Sequence, residues 1–163
     1  MANFGKGWCV SVALALVACG GGAAQEPTLP DDTVQVVFTA TENTDGVCGP
    51  QRVARVNKEA TGLDALYGDI AFVDVRDGAA TRLPLQLVFR GWDDAGISED
   101  RVQTGLNSAT PCDQLRIEME VDYCFHGATR PERTACPLLQ IEAEGFASAE
   151  LLADKSEKLP PGR

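Results

Sequence analysis

The segment from Leu115 to Phe125 constrains the fold more than any other part of this sequence. Large apolar residues occupy every second position, and charged residues occupy most of the positions between them. Because the side chains of a strand alternate between the two faces of a sheet, this pattern predicts one long strand with one buried face. The apolar positions are Leu115, Ile117, Met119, Val121, Tyr123 and Phe125, and the polar positions are Arg116, Glu118, Glu120 and Asp122.

Four other segments have patterns that are typical of strands. Residues 34–41, 83–89 and 139–146 place apolar side chains at alternate positions, and residues 70–75 form a short apolar, β-branched run. Turn-forming residues separate these segments, without the strand–helix alternation of an α/β protein. We therefore expect an all-β domain, either an antiparallel β-sandwich of the immunoglobulin-like type or a small barrel.

Two segments have patterns that fit a short helix as well as another structure. Residues 50–61 fit either a strand or a short helix, because Val53 and Val56 are three positions apart. Residues 149–159 fit either a terminal helix or a frayed tail. The expected domain, residues 33–163, is thus mainly β with room for a short helix at one or both of these places.

The N-terminal segment has the layout of an export signal. Lys6 is its single charged residue, and an uncharged apolar run extends from Trp8 to Ala18. A membrane-spanning helix needs about 20 apolar residues, and this run is roughly half that length. The pattern therefore predicts a cleaved signal peptide, residues 1–18, rather than a transmembrane anchor.

The apolar run ends in Leu16-Val17-Ala18-Cys19, which resembles the lipobox of bacterial lipoproteins. The resemblance covers only the signal region. It implies cleavage before Cys19, acylation of Cys19, and a location in the cell envelope with the membrane as partner through the lipid anchor. Gly20 stands where some of these lipoproteins carry an inner-membrane retention Asp, so its presence favours the outer membrane. The alternative is ordinary secretion, with cleavage near Ala24 and loss of Cys19.

Residues 19–32 separate the predicted anchor from the domain. They are rich in glycine and proline and contain one large apolar residue, Leu29, so they cannot bury enough surface to fold by themselves. We expect a flexible tether with an average end-to-end distance of about 20 Å.

Export places the mature chain where disulfide bonds persist, and four cysteines remain beyond the signal and the lipobox. They are Cys48, Cys112, Cys124 and Cys136, and they allow three connectivities. If residues 113–125 form one strand, the Cα atoms of Cys112 and Cys124 lie about 40 Å apart, too far for a disulfide.

An antiparallel hairpin between the long strand and residues 139–146 settles the remaining choice. Setting Cys124 opposite Cys136 also sets Val121 against Leu139 and further apolar residues against each other. Cys136 then lies at the opposite end of the hairpin from Cys112. The predicted bonds are therefore Cys124–Cys136 and Cys48–Cys112.

The same hairpin predicts an acidic surface. Its exposed face would carry the carboxylates of Glu118, Glu120, Asp122, Glu142 and Glu144, with Glu118 directly opposite Glu142. The formal net charge of the chain is −10, and there is no cluster of Lys and Arg, which argues against nucleic acid as a partner. The acidic face is either a solvated surface or a site for a basic protein partner.

Metal-binding and catalytic patterns are weak. The mature cysteines form no CxxC pair and His126 is the single histidine, so we expect no zinc site and no cofactor. Four carboxylates crowd residues 91–100, but their spacing does not match an EF-hand calcium loop. They are Asp93, Asp94, Glu99 and Asp100. His126 has no accompanying nucleophile motif, and we expect Trp92 to be buried.

The sequence predicts an envelope-anchored lipoprotein with a non-catalytic binding or scaffolding role. One alternative is an inhibitor of a basic hydrolase such as lysozyme, because the chain resembles small acidic, disulfide-containing lipoproteins of that kind in size, charge and predicted location. An envelope enzyme is the third hypothesis.

Overall fold

The structure is a computed structural model that describes residues 29–41, 47–106, 108–127 and 132–156. The predicted signal, Cys19 and most of the predicted tether lie outside these residues. Within them the chain forms nine strands, one helical turn and one 3-10 turn. The strands are β1 (Thr33–Thr39), β2 (Gln51–Asn57), β3 (Leu63–Asp74), β4 (Ala80–Val88), β5 (Ile97–Gln103), β6 (Leu115–His126), β7 (Glu132–Thr134), β8 (Leu138–Glu144) and β9 (Ser148–Asp154); the helical turn is α1 (Lys58–Thr61) and the 3-10 turn is Cys112–Gln114.

The strands form two sheets that pack face to face. The first has the order β5-β2-β1-β8; the second has the order β4-β3-β6-β7, with β9 also paired to β6. Side chains from both sheets share one core, in which Phe38 of β1, Phe72 of β3 and Met119 of β6 are fully buried. The predicted all-β sandwich is confirmed, and these sheets do not close into the alternative, a barrel.

Two strand pairings are parallel, so both sheets are mixed rather than purely antiparallel as predicted: β8 lies beside β1, and β9 lies beside β6. The predicted hairpin between the long strand and residues 139–146 is therefore wrong, because β8 belongs to the other sheet. The short strand β7 takes the antiparallel place beside the end of β6, with Cys124 opposite Thr134. The chain then crosses between the sheets before β8 begins.

Both predicted disulfides are present. The Cα atoms are 5.2 Å apart in Cys48–Cys112 and 5.2 Å apart in Cys124–Cys136, as a disulfide requires. The predicted long strand is also confirmed, since β6 runs without interruption from Leu115 to His126. The connectivity was thus predicted correctly, although the register used to choose it was not.

The two ambiguous segments resolve mainly as strands. Residues 50–61 contain strand β2 followed by the single helical turn α1, which Asn57 caps by accepting a hydrogen bond from the backbone N–H of Ala60. In the segment 149–159, residues up to Asp154 belong to strand β9 rather than to a helix, and residues 157–159 lie outside the described part.

Candidate functional site

The structure divides the predicted acidic face between the two sheets. Glu118, Glu120 and Asp122 lie on β6, in the five-stranded sheet. Glu142 and Glu144 lie on β8, in the four-stranded sheet, where their carboxylates accept hydrogen bonds from Gln35 and Thr39. The expectation of one surface with five carboxylates is therefore wrong, because it depended on the wrong partner for β8.

Cations partly neutralise the carboxylates of β6. The Nζ atom of Lys155 is 2.7 Å from Oε2 of Glu120 and 3.3 Å from Oδ1 of Asp122. The hydrogen bond from Lys155 lowers the pKa of Glu120 below its ordinary value, and the same contact raises the pKa of Lys155. Arg82 reaches Glu120 from β4 at 3.7 Å. This surface is therefore acidic, but ion pairs neutralise part of its charge.

A like-charge pair does occur on β6, but with a different partner from the one predicted. Glu118 lies opposite Glu150 of β9 rather than Glu142. Arg116 lies between the two carboxylates, with Nη2 2.5 Å from Oε1 of Glu118 and Nε 3.3 Å from Oε1 of Glu150. The arginine relieves the repulsion that two facing carboxylates would otherwise produce.

Three aromatic rings pack together on the outer surface of the five-stranded sheet. The ring of Tyr67 stacks on Tyr123 with centroids 5.1 Å apart and contacts the edge of Phe125 at 5.4 Å; Tyr123 and Phe125 are 5.2 Å apart. Tyr67 is paired with Tyr123 and with Gln86, whereas the preceding position, Leu66, is buried in the core. The rings therefore face away from the core.

The sequence pattern assigned Tyr123 and Phe125 to the buried face, and that assignment is wrong. The β3–β6 register shifts between Tyr67 and Gly68, where Tyr67 pairs with Tyr123 and Gly68 with Val121. Asp122 is thus an extra residue, a bulge that inverts the alternation beyond it. An isolated glycine within an apolar strand is the sequence signal for such a bulge. We call Tyr67, Glu120, Asp122, Tyr123 and Phe125 the aromatic–acidic face.

A cleft of about 290 Å³ lies at the end of the sandwich beside the β3–β4 turn. Phe72 and Leu115 form part of its apolar wall, and Asp74, Arg76 and Thr110 supply polar groups. The buried Asp74 carboxylate accepts hydrogen bonds from Arg76 and Thr110. The side-chain and backbone hydrogen bonds from Arg76 hold the pKa of the Asp74 carboxyl well below its usual range. These contacts stabilise the β3–β4 turn.

The crowded carboxylates of residues 91–100 do not converge. Asp93 accepts hydrogen bonds from the backbone N–H groups of Ala95 and Ile97, which shapes the turn. Glu99 and Asp100 lie on β5, and they bind Arg55 and the buried Arg52 respectively. In the described ranges no group of three or more His, Cys, Asp or Glu side chains is arranged to hold a metal ion.

Arg52 joins the two sheets. Its Nη2 atom is 3.0 Å from Oδ2 of Asp100 and donates a second hydrogen bond, also 3.0 Å, to the backbone oxygen of Gln86 on β4. Burial lowers the pKa of Arg52, while Asp100 acts in the opposite direction. Asp100, one of the four carboxylates of the acidic segment, therefore has a structural role as the partner of Arg52.

The sequence also drew attention to His126 and Trp92. Nδ1 of His126 lies 3.1 Å from the backbone oxygen of Thr61, so this histidine contacts the backbone at the α1 turn. Trp92 is 58% exposed, and the expectation that it is buried is wrong. The N–H of the next residue, Asp93, donates to the backbone oxygen of Ile97, and the indole of Trp92 lies at the surface.

Compared with models of protein families, with curated proteins and with solved structures, the chain matches none. Across the part of the chain that the structure describes, no helix combines the length and apolar character needed to cross a membrane.

Proposed function

We propose that this chain is a bacterial lipoprotein of the cell envelope, anchored through acylated Cys19 and directed to the outer membrane. Its β-sandwich then serves as a non-catalytic binding or scaffolding module. The apolar run that ends in Leu16-Val17-Ala18-Cys19 supports the anchor. Two or three acyl chains on one cysteine hold a protein durably on a bilayer, whereas one chain holds it only marginally.

The aromatic–acidic face is the observation that supports a binding role. Tyr67, Tyr123 and Phe125 form a half-buried aromatic cluster on the outer side of a sheet, beside the carboxylates of Glu120 and Asp122, whose charge Lys155 neutralises only in part. Stacking between strands accounts for part of this arrangement, because such pairs stabilise a sheet. Tyrosine rings next to carboxylates are also the groups that bind lysine and arginine side chains. A basic protein partner fits this chemistry.

Inhibition of a basic hydrolase such as lysozyme is the second candidate. The net charge of −10 favours it, because an acidic protein attracts a cationic enzyme at long range. Such binding would be stoichiometric, would block the enzyme, and would weaken steeply as salt screens the charges.

Two double variants with the same charge change test the proposed surface. Glu120→Gln with Asp122→Asn alters the aromatic–acidic face, and Glu142→Gln with Glu144→Gln removes two charges from the other sheet. The full lipidated protein and both variants are incubated with envelope extract and, separately, with lysozyme. We expect the first variant to lose a partner that the wild type and the second variant retain.

The outcomes separate the hypotheses. Selective loss of one envelope partner supports the binding module, and stoichiometric inhibition of lysozyme that only the first variant loses supports the inhibitor. Equal loss in both variants indicates general charge attraction and contradicts a role for this face. Retention of every partner by the first variant contradicts it as well.

A further inference from the structure

The chain enters the sandwich at one defined end. The backbone oxygen of Asp32 accepts a hydrogen bond of 2.9 Å from the N–H of Leu138, just before β1 and at the start of β8. The side chain of Asn57, at the end of β2, donates to Oδ1 of Asp31 at 2.7 Å. The predicted tether therefore reaches the domain where β1 and β8 begin and β2 ends.

Two large apolar side chains are exposed at this same end. Leu138 is 63% exposed and lies opposite Thr33, the first residue of β1. Trp92 is 58% exposed, and the next residue, Asp93, donates its backbone N–H to Ile97 at 3.0 Å. Ile97 is in turn paired with Asn57. We call the surface of Asp31, Asp32, Trp92 and Leu138 the tether end.

We infer that the tether end rests on the membrane that holds the lipid anchor, with Trp92 and Leu138 in contact with the lipid headgroup region. This inference rests on the proposed anchoring through Cys19. Tryptophan suits such a place, because its indole has a large apolar body and one N–H donor, and tryptophan is enriched at membrane–water interfaces. An exposed leucine loses unfavourable contact with water there.

The length of chain between the anchor and the domain is compatible with this contact. Cys19 precedes Thr33 by 14 residues. A random-coil chain of that length has an average end-to-end distance of about 20 Å, and its fully extended limit is about 50 Å. The seven residues of β1 add about 24 Å to the opposite end of the sandwich. The anchor therefore keeps the tether end nearer to the bilayer than the other end.

The charge of the tether end indicates which lipid it meets. Asp31, Asp32 and Asp94 are exposed carboxylates on this surface or beside Trp92, and they outnumber the exposed Arg90, which lies two residues before Trp92. A bilayer rich in anionic lipid would repel them, whereas zwitterionic headgroups would not. The occupant is thus a zwitterionic bilayer surface, and the contact should weaken as anionic lipid is added.

Trp92 is also the reporter for the experiment. The sequence contains two tryptophans, and cleavage before Cys19 removes Trp8, so Trp92 remains as the single indole. The processed, lipidated protein is reconstituted into phosphatidylcholine vesicles, some of which contain brominated lipid. We expect the emission of Trp92 to shift to the blue, to be quenched by brominated lipid, and to be protected from acrylamide. Phosphatidylglycerol in the vesicles should reduce all three effects.

A matched variant places the single tryptophan at the other end. Val75 is 51% exposed in the β3–β4 turn, where its N–H donates to Gln114 just before β6 begins. The double variant Trp92→Phe with Val75→Trp should float with the vesicles and show neither the blue shift nor quenching by brominated lipid.

Flotation separates this inference from the proposed function. If the processed protein does not float with vesicles, the lipid anchor is absent and the inference falls with it. If the protein floats but Trp92 stays open to acrylamide and unaffected by brominated lipid, the anchor stands and the tether-end contact is overturned. Equal quenching of the tryptophan introduced at residue 75 also overturns it, because the domain then lies on its side.

Discussion

Gly68 permits the close approach of β3 and β6 where the register between these strands shifts. An ideal Cβ atom at this position would lie 2.0 Å from the backbone oxygen of Glu120. No side chain fits there, because the obstacle is backbone rather than the end of a flexible side chain. This one residue therefore supports the bulge at Asp122 that places Tyr123 and Phe125 on the outer face.

We predict that Gly68→Ala destabilises the domain by about 3 kcal/mol or more, because the added methyl group must push apart two paired strands. Gly105→Ala is the matched control, since a Cβ atom there meets nothing within 4 Å. It should change stability by less than about 0.5 kcal/mol. Urea unfolding measures both values. Equal stability of the two variants would contradict the role of Gly68.

Asp74 should make the domain sensitive to acid. Its carboxyl pKa is lowered in the folded state, chiefly by the Arg76 side chain. A lowered folded pKa gives stability that is present above the unfolded pKa of about 4 and is lost as the pH falls below it. We expect Asp74→Asn to melt at a lower temperature than wild type at pH 7 and to lose less stability between pH 5 and pH 2.

Thermal unfolding across that pH range checks this prediction. Asp113→Asn replaces an exposed carboxylate just before β6 and should retain the wild-type pH dependence. A pH profile of Asp74→Asn that parallels the wild type would show that this carboxylate does not contribute to acid sensitivity.

The strands show what alternation in a sequence can and cannot predict. It correctly placed β1, β4, β6 and β8 within a few residues. It could not assign the neighbour of β8, because Leu139 meets apolar Val34 of β1 as well as it met Val121 in the predicted hairpin. The alternation of apolar residues within one strand does not indicate which other strand lies beside it.

The disulfide pairing could be predicted because it depended on distance more than on register. A continuous β6 separates Cys112 from Cys124 by nearly its full length, whichever strand lies beside it. Cys124 and Cys136 are only 12 residues apart, so either an intervening hairpin or the observed strand β7 can bring them together. The conclusion was therefore insensitive to the error in register.

The two disulfides should contribute unequally to stability. Cys48–Cys112 closes a loop of 64 residues and Cys124–Cys136 a loop of 12. In the chain-entropy description the longer loop contributes about 4 kcal/mol and the shorter about 3 kcal/mol. Paired serine substitutions followed by urea unfolding compare them. A greater loss on removing Cys124 and Cys136 would indicate that native contacts, rather than loop closure, set the order.

At the scale of the whole molecule, the sandwich has two dissimilar ends. Asp31, Asp32, Trp92 and Leu138 lie at one end, and the Cys48–Cys112 bond and the Asp74 cleft lie at the other. The sequence predicted a buried Trp92, whereas the structure places its side chain at the surface. Whether an aromatic side chain is covered depends on how its loop folds back over the sheets, and the pattern of a short loop contains no such information.

Lipid anchoring through Cys19 is the central claim, and the mass of the mature N-terminal peptide tests it most directly. The protein is recovered from the membranes of its native cell and digested, and its N-terminal peptide is measured by mass spectrometry. The account predicts a peptide that begins at Cys19 and carries a diacylglycerol group, with or without a further N-acyl chain. A peptide that retains Met1, or an unmodified one that begins beyond Cys19, would contradict it.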